Sequence, residues 1–317
     1  MATVQHSPQG RARNRRHWRE DVTGYLWISP WLVGFLVFTA GPLVASFYVS
    51  LTRFNFGSTT KFIGAANYVT ALAHDPLVWS SLGRSAYYTV LVVSLGTIGS
   101  LLAALLLNQR LWGTQIYRTL FFIPSLTPIV ATAVLWTWIL APSFGPVDNL
   151  LGLVGIKGPR WFGQAQWAIP GIVIIVLWSS IGGSRMITFL AGLQGVPIEL
   201  YEAAELDGAG VFHKFRHVTL PMITPVIFFN VVLGIIGSFQ VFDIAYVISS
   251  GAPGGTMGGP GDATYFYAIH IYQRAFRDFD FGYASALAWI LFLVLVIFTQ
   301  AQFRGSTRWV YYEGGQH

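Results

Sequence analysis

Six long runs without a single Asp, Glu, Lys or Arg divide the chain, at residues 22–52, 85–109, 119–147, 161–184, 217–242 and 281–303. Each reaches the roughly 20 residues that a membrane-spanning helix needs. The bilayer interior offers no water to a free peptide group, so helices are expected in all six. A seventh uncharged stretch, 244–261, ends in SSGAPGGTMGGPG and reads as a loop. The alternation over about 10 residues that a barrel strand requires does not occur at length. Pro30, Pro42, Pro124, Pro128, Pro170 and Pro225 lie inside the runs and mark kinks. In a soluble helix each costs about 3 kcal/mol; in a bundle, neighbouring helices satisfy the freed carbonyls.

Composition agrees with this pattern. Hydrophobic residues make up 54% and charged residues 10%, against about 25% charged in soluble domains. The expected fold class is an all-α membrane protein with six transmembrane helices. The absence of cysteine excludes a disulfide scaffold, a thiolate metal site and a thiol nucleophile. The 19 Lys/Arg exceed the 13 Asp/Glu by a net +6, but they are scattered between the apolar runs, which points to orientation in a bilayer and not to nucleic acid. Arg11, Arg13, Arg15, Arg16 and Arg19 precede the first run and place the N-terminus in the cytoplasm. Six spans return the C-terminus, with Arg304 and Arg308, to the same side, where Arg110 and Arg118 also fall. Arg53, Lys61, Arg84, Lys157, Arg160, Arg274 and Arg277 lie in or beside the opposite loops, so the orientation rests on the arginine cluster beside the first span. That run is too long for the apolar core of a signal peptide. The expected divisions are a basic, disordered cytoplasmic tail at 1–24, a first span at 25–50, an external loop at 51–82, the remaining transmembrane domain at 83–304 and a cytoplasmic tail at 305–317. Contact of the first tail with anionic lipid headgroups is an alternative to simple disorder.

One inner segment, the loop 193–220, carries more pattern than a connection requires. Pro197 suits a first helical position, and Glu199 and Glu202 suit the positive end of a helix. Residues 201–206 are mostly good helix formers. Asp207 and Gly208 then break the helix, Gly208 being able to turn left-handed. A second helix is expected over about 211–218, with His213, Lys214, Arg216 and His217 crowding its end. Ala203, Ala204, Gly208, Ala209 and Gly210 would let another backbone approach closely. A solvated linker would explain the polarity, but it does not require a glycine break between two capped helices.

Glu202-Ala203-Ala204, Gly208, Val218 and Leu220-Pro221 resemble the EAA loop of permease subunits in ABC importers, with Val218 in place of isoleucine. Phe62-Ile63-Gly64 with Asn67-Tyr68, residues 118–124, residues 190–194, residues 239–243 and Gly282-Tyr283-Ala284 are similar to motifs of the maltose-type carbohydrate branch, and closest to its first permease partner. The resemblance covers about residues 25–305. It implies the type I ABC importer permease fold, a second homologous permease, a pair of ATPase subunits that bind ATP and Mg, and an extracytoplasmic solute-binding protein. Glu202, Ala203, Ala204, Asp207, Gly208, Ala209 and Gly210 would then couple this chain to the ATPase.

Within the fifth run Gly234, Gly237, Ser238 and Val241 recur on one helix face. Such a stripe serves close helix packing or leaves room along a solute path. The resemblance favours the path and adds Gln240, since this stretch contributes to the sugar site of maltose-type permeases. The residues here are not the amide-rich set of the maltose permease, so the sugar need not be the same. Asp243 faces a wet cavity or snorkels to the interface. Trp178, Trp136, Trp138 and Tyr246 are candidate sugar-stacking rings or interfacial belt residues, and Arg185 reads as an orientation charge. No G-x-x-x-x-G-K-[ST] is present for ATP, no H-E-x-x-H for a metal and no G-x-S-x-G elbow. The expectation is a multi-pass membrane permease for a sugar or sugar-like solute, not an enzyme, with no cofactor of its own, in contact with membrane lipid and with no nucleic acid. A self-sufficient secondary transporter would show internal repeats and buried coupling ions' ligands, and a membrane enzyme would show a catalytic set.

Overall fold

The computed structural model describes residues 23–55, 57, 59–109, 112–250 and 256–311. The arginines expected to orient the N-terminus, Arg110 and the last residues of the C-terminal tail lie outside them. In chain order, α1 (Thr23–Ser50) is followed by a short antiparallel pair, β1 (Thr52–Arg53) and β2 (Lys61–Phe62), with Thr52 opposite Phe62 and Arg53 opposite Lys61. Next come α2 (Ala66–Val69) with a π turn at Thr70–His74, α3 (Pro76–Leu107), α4 (Thr114–Phe122) with a 3₁₀ turn at Ile123–Leu126, α5 (Ile129–Ile139) and α6 (Pro146–Leu153). Then follow α7 (Ala165–Ser180), α8 (Ser184–Gln194), α9 (Ile198–Leu206), α10 (Val211–Lys214), α11 (Thr224–Phe239) and α12 (Asp243–Ser250). The last two are α13 (Tyr267–Tyr272), prolonged by a π turn at Gln273–Arg277, and α14 (Phe281–Ser306).

Among the described residues, four helices are long and apolar enough to cross a bilayer: α1, α3, the combined Thr224–Ser250 and α14. Taking each of two bent pairs as one span, α4 with α5 and α7 with α8, gives the six expected. Neither pair is the straight rod its charge-free run suggests. The third run turns by 97° where Pro128, which has no N–H to donate, caps α5. The fourth turns by 51° between Ser180 and Ser184. A side chain at Gly182 would place its Cβ 1.8 Å from the Phe121 carbonyl oxygen, so the bend and the close approach of α4 both require glycine there.

Three boundaries differ from the sequence expectation. The second span begins at Pro76, inside the loop expected over 51–82, because Arg84 sits within an otherwise apolar helix and interrupted the run. The fifth span resumes as α12 after a break at Gln240–Phe242, so 244–250 is helix and not loop; the glycine and proline that suggested a loop all lie beyond it. In the inner loop, the second helix does not stop at 218. It passes through a π turn at Phe215–Thr219 to Met222, and the break comes at Ile223.

The helix α3 is central and packs against α7, α8 and α11. Its buried positions include Ser81, Ser85, Gly96, Ser100, Ala103 and Ala104, small residues that let helices approach where no water drives them together. Asp75 caps its first turn. Oδ1 accepts from the Leu77 N–H at 2.9 Å. Oδ2 accepts from the Tyr283 hydroxyl at 2.8 Å and from His270 Nε2 and Arg274 Nη2, each at 3.2 Å. His270 is fully buried, and its Nδ1 meets the Tyr265 hydroxyl at 3.0 Å. One carboxylate thus joins the start of α3 to α13 and α14, beside a polar cavity of about 560 Å³ that also touches Arg53, Asn67 and His74. Burial works against the Asp75 charge, but hydrogen bonds from Tyr283 and Leu77, with His270 and Arg274 close by, outweigh it and hold the carboxyl below its usual 3.8. Burial keeps His270 below 6.5, Asp75 opposing and Arg274 assisting.

Candidate functional site

The loop between the fourth and fifth spans folds as a two-helix knob. Pro197 caps α9 one position before its expected place, and Glu199 lies in the first turn. At the other end the Ala209 N–H reaches the Ala204 carbonyl and the Gly208 N–H reaches that of Glu205, both at 2.9 Å. This paired closure needs a left-handed residue, and Gly208 supplies it with φ +77°. Gly210 then caps α10. The Tyr201 hydroxyl meets that of Thr219 at 3.0 Å, and Lys214 pairs with Glu205, so the two helices are braced against each other. No residue of α9 is buried. Glu202, Ala203, Asp207 and Gly208 are exposed, and the turn presents Leu206 (90% exposed), Val211 (82%) and Phe212 (73%) to the surroundings. A purely solvated linker has no reason to hold three large apolar side chains out on a braced turn.

A cavity of about 390 Å³ opens between α3, α5, α7, α8 and α11. The breaks in the fourth and fifth spans both border it. Gly234, Gly237, Ser238, Gln240, Val241 and Asp243 all line it. The small stripe divides in role. A Cβ on Gly237 would meet nothing within 4 Å, whereas one on Gly234 would lie 3.3 Å from both Val93 Cγ2 and Arg185 Nη2. Gly237 therefore leaves room, and Gly234 serves close packing. Trp178 is not part of the lining; its ring stands edge-on to Trp136 at 5.7 Å. Instead Phe242 borders the cavity and starts an aromatic row, stacked on Tyr246 at 5.2 Å and against Tyr272 at 5.0 Å, with Phe276 beyond.

Among the lining residues that the sequence reading did not place there are Tyr88, Asn230, Phe242 and Arg185. Asn230 had a signal, an amide in mid-span one turn before Gly234. Arg185, read as an orientation charge, instead turns into the cavity from the first turn of α8. Tyr88 and Phe242 sit among many other aromatics in apolar runs and carried no distinguishing mark.

Residues 96–309 match the family described as binding-protein-dependent transport system inner membrane component. The chain belongs to that family. Over 297 residues it is 38% identical to the probable ABC transporter permease protein YesP of Bacillus subtilis, covering 93% of this chain and 94% of that one. It is 34% identical to the trehalose/maltose transport system permease protein MalF of Thermococcus litoralis, covering 89% and 92%. The fold is that of a chain in the crystal structure of a bacterial ABC transporter involved in alginate import, with a TM-score of 0.80, 22% identity and coverage of 93% and 99%. This permease is thus a membrane component of an ABC importer, and ATP hydrolysis belongs to separate subunits.

Proposed function

We propose that this permease forms half of the path for a sugar or sugar-like solute and is driven through residues 202–210 by a cytosolic ATPase pair that binds ATP and Mg. The second half of the path is a homologous permease, and an extracytoplasmic binding protein delivers the solute. The knob carries the coupling reading: an exposed acidic and apolar turn on two braced helices, leading directly through Leu220-Pro221 into the fifth span. Glu202 offers its carboxylate to a basic residue of the ATPase groove, and Leu206, Val211 and Phe212 fill the apolar part of that groove. The orientation that puts the knob in the cytoplasm follows the positive-inside rule. The sugar reading is supported by the trehalose/maltose relative and by planar hydrogen-bonding groups, Asn230, Gln240 and Asp243, that share a wall with Phe242.

Affinity purification of this chain from membranes is expected to bring down a second permease and an ATPase in stable association. Recovery of the chain alone, active in uphill uptake, rejects the proposal. Within the assembly, Gln240→Ala is expected to raise the solute concentration for half-maximal uptake about fivefold, the equivalent of one hydrogen bond of about 1 kcal/mol. Gly237→Leu, whose side chain would occupy open space in the cavity, should cut uptake about tenfold at an unchanged membrane level, the equivalent of about 1.4 kcal/mol of lost solute binding. Wild-type uptake curves for both variants would mean that the cavity lies off the path.

A further inference from the structure

The geometry points to Arg185 as an anion-binding residue of the central cavity: we propose that the transported solute is an acidic saccharide whose carboxylate pairs with this guanidinium. The inference rests on the reading of the cavity as the solute path, and adds the charge of the cargo.

Arg185 extends from the bend in the fourth span across to α3 and α11. Two glycines make its niche. A Cβ on Gly96 would fall 2.3 Å from Nη1, and one on Gly234 would fall 3.3 Å from Nη2. Nη1 is buried and has no hydrogen-bond partner, and no carboxylate among the described residues forms an ion pair with Arg185. Ser180, on the same lining, also has a buried hydroxyl without a partner. An arginine keeps its charge at any physiological pH, and a charge at membrane depth persists where it faces a partner or a wet cavity. Here the protein supplies the cavity but not the partner. A planar guanidinium is also the group best shaped to take a carboxylate through two parallel N–H donors.

The opposite pole of the cavity is of a different kind. Gln240 and Asp243 lie six and nine residues beyond Gly234 in the chain, about 7 Å of helix to Phe239 and then across the break that ends α11. That separation is too large for both poles to hold one functional group. It suits a molecule with its acid at Arg185 and its hydroxyls, which donate to carboxylate and amide oxygens, at Asp243 and Gln240. An acidic saccharide of at least two rings has that form. A neutral sugar would offer the guanidinium hydroxyl oxygens but leave its charge unmatched, and a small inorganic anion would leave the Asp243 pole unused.

The test uses the complete assembly, purified through this chain with its partner permease, ATPase pair and binding protein, and reconstituted in vesicles. The probes are a labelled uronate disaccharide and its methyl ester, which differ in charge and little in shape. Wild type is expected to take up the acid at least tenfold faster than the ester. Arg185→Gln should lower acid uptake tenfold or more and erase the preference, and Arg185→Lys should retain part of it. An unchanged acid-to-ester ratio in Arg185→Gln overturns the proposal, since the preference then belongs to another component. Equal loss of both substrates with a lowered Tm also overturns it, by making Arg185 a structural strut. Wild-type uptake of a neutral disaccharide but not of the acid overturns the anion site and leaves the path reading intact, while uptake of no saccharide at all rejects both.

Discussion

Gly208→Val is expected to abolish solute-stimulated ATP hydrolysis, with at least a tenfold loss, while the ATPase subunits still co-purify with the permease. The reason is conformational. Nothing lies within 4 Å of a Cβ built on Gly208, so added bulk meets no obstacle. Its φ of +77° is the obstacle, because a β-branched residue there is strained by about 1–3 kcal/mol. Valine would shift the backbone toward negative φ and break the two bonds that close α9, from Ala209 to Ala204 and from Gly208 to Glu205. Glu202, Ala203 and Ala204 would then point away from α10 and from the entry to the fifth span. Docking draws on the apolar side chains of the turn and survives in part, but the rigid relation of the two helices, which would carry motion into the membrane, is lost. Asparagine separates this from a mere size effect. It tolerates the left-handed region, so Gly208→Asn should keep most of the stimulation. Val and Asn variants that behave alike, whether both active or both dead, would remove the conformational argument.

The same glycine shows what a sequence can reveal. The break at Asp207-Gly208 was legible because helix formers, a glycine and a second amphipathic turn follow one another within a dozen or so residues, and local chemistry decides such a motif. That Gly234, Gly237, Ser238 and Val241 share one side was also legible, since a helix repeats its face; Gln240 came from the resemblance, and Asp243 was left between a wet cavity and the interface. Bends and termini were less so. Charge-free runs measure where lipid is tolerated, not where the backbone turns; the 97° break at Pro128 falls mid-run, and Arg84 lies within α3. Trp178 was left between a stacking ring and a belt residue, and its ring stands edge-on to Trp136, outside the lining of the cavity. Arg185 could not be placed at all from sequence. Its position depends on a bend in its own span and on vacancies left by Gly96 and Gly234, two residues distant in the chain.

Asp75→Asn is expected to lower the stability of the purified permease by about 3 kcal/mol, read as a drop of several degrees in Tm. Asparagine can still cap α3 through Oδ1, so the cap is not what is lost. At the position of Oδ2 it places an amide group facing the Tyr283 hydroxyl, His270 Nε2 and Arg274 Nη2, three donors left without an acceptor. Breaking a buried pair from one side costs about 3–5 kcal/mol, and the partial exposure of Arg274 argues for the lower end. The sign of the pH dependence follows from His270 and Asp75. The folded state keeps His270 neutral below 6.5, where the unfolded chain takes up a proton, so stability falls as the pH is lowered through that value. Each such proton contributes at most about 1.4 kcal/mol per pH unit. A second loss begins as the pH falls below 3.8, where the unfolded chain protonates Asp75 and the folded state resists. In His270→Gln, whose amide can still donate to Asp75, the decline just below 6.5 should flatten while the loss below 3.8 remains. A His270→Gln variant with the wild-type slope between pH 7 and 5 would show that this histidine titrates alike in the folded and unfolded states, and the reading of the network as a neutral clamp on one anion would then fail.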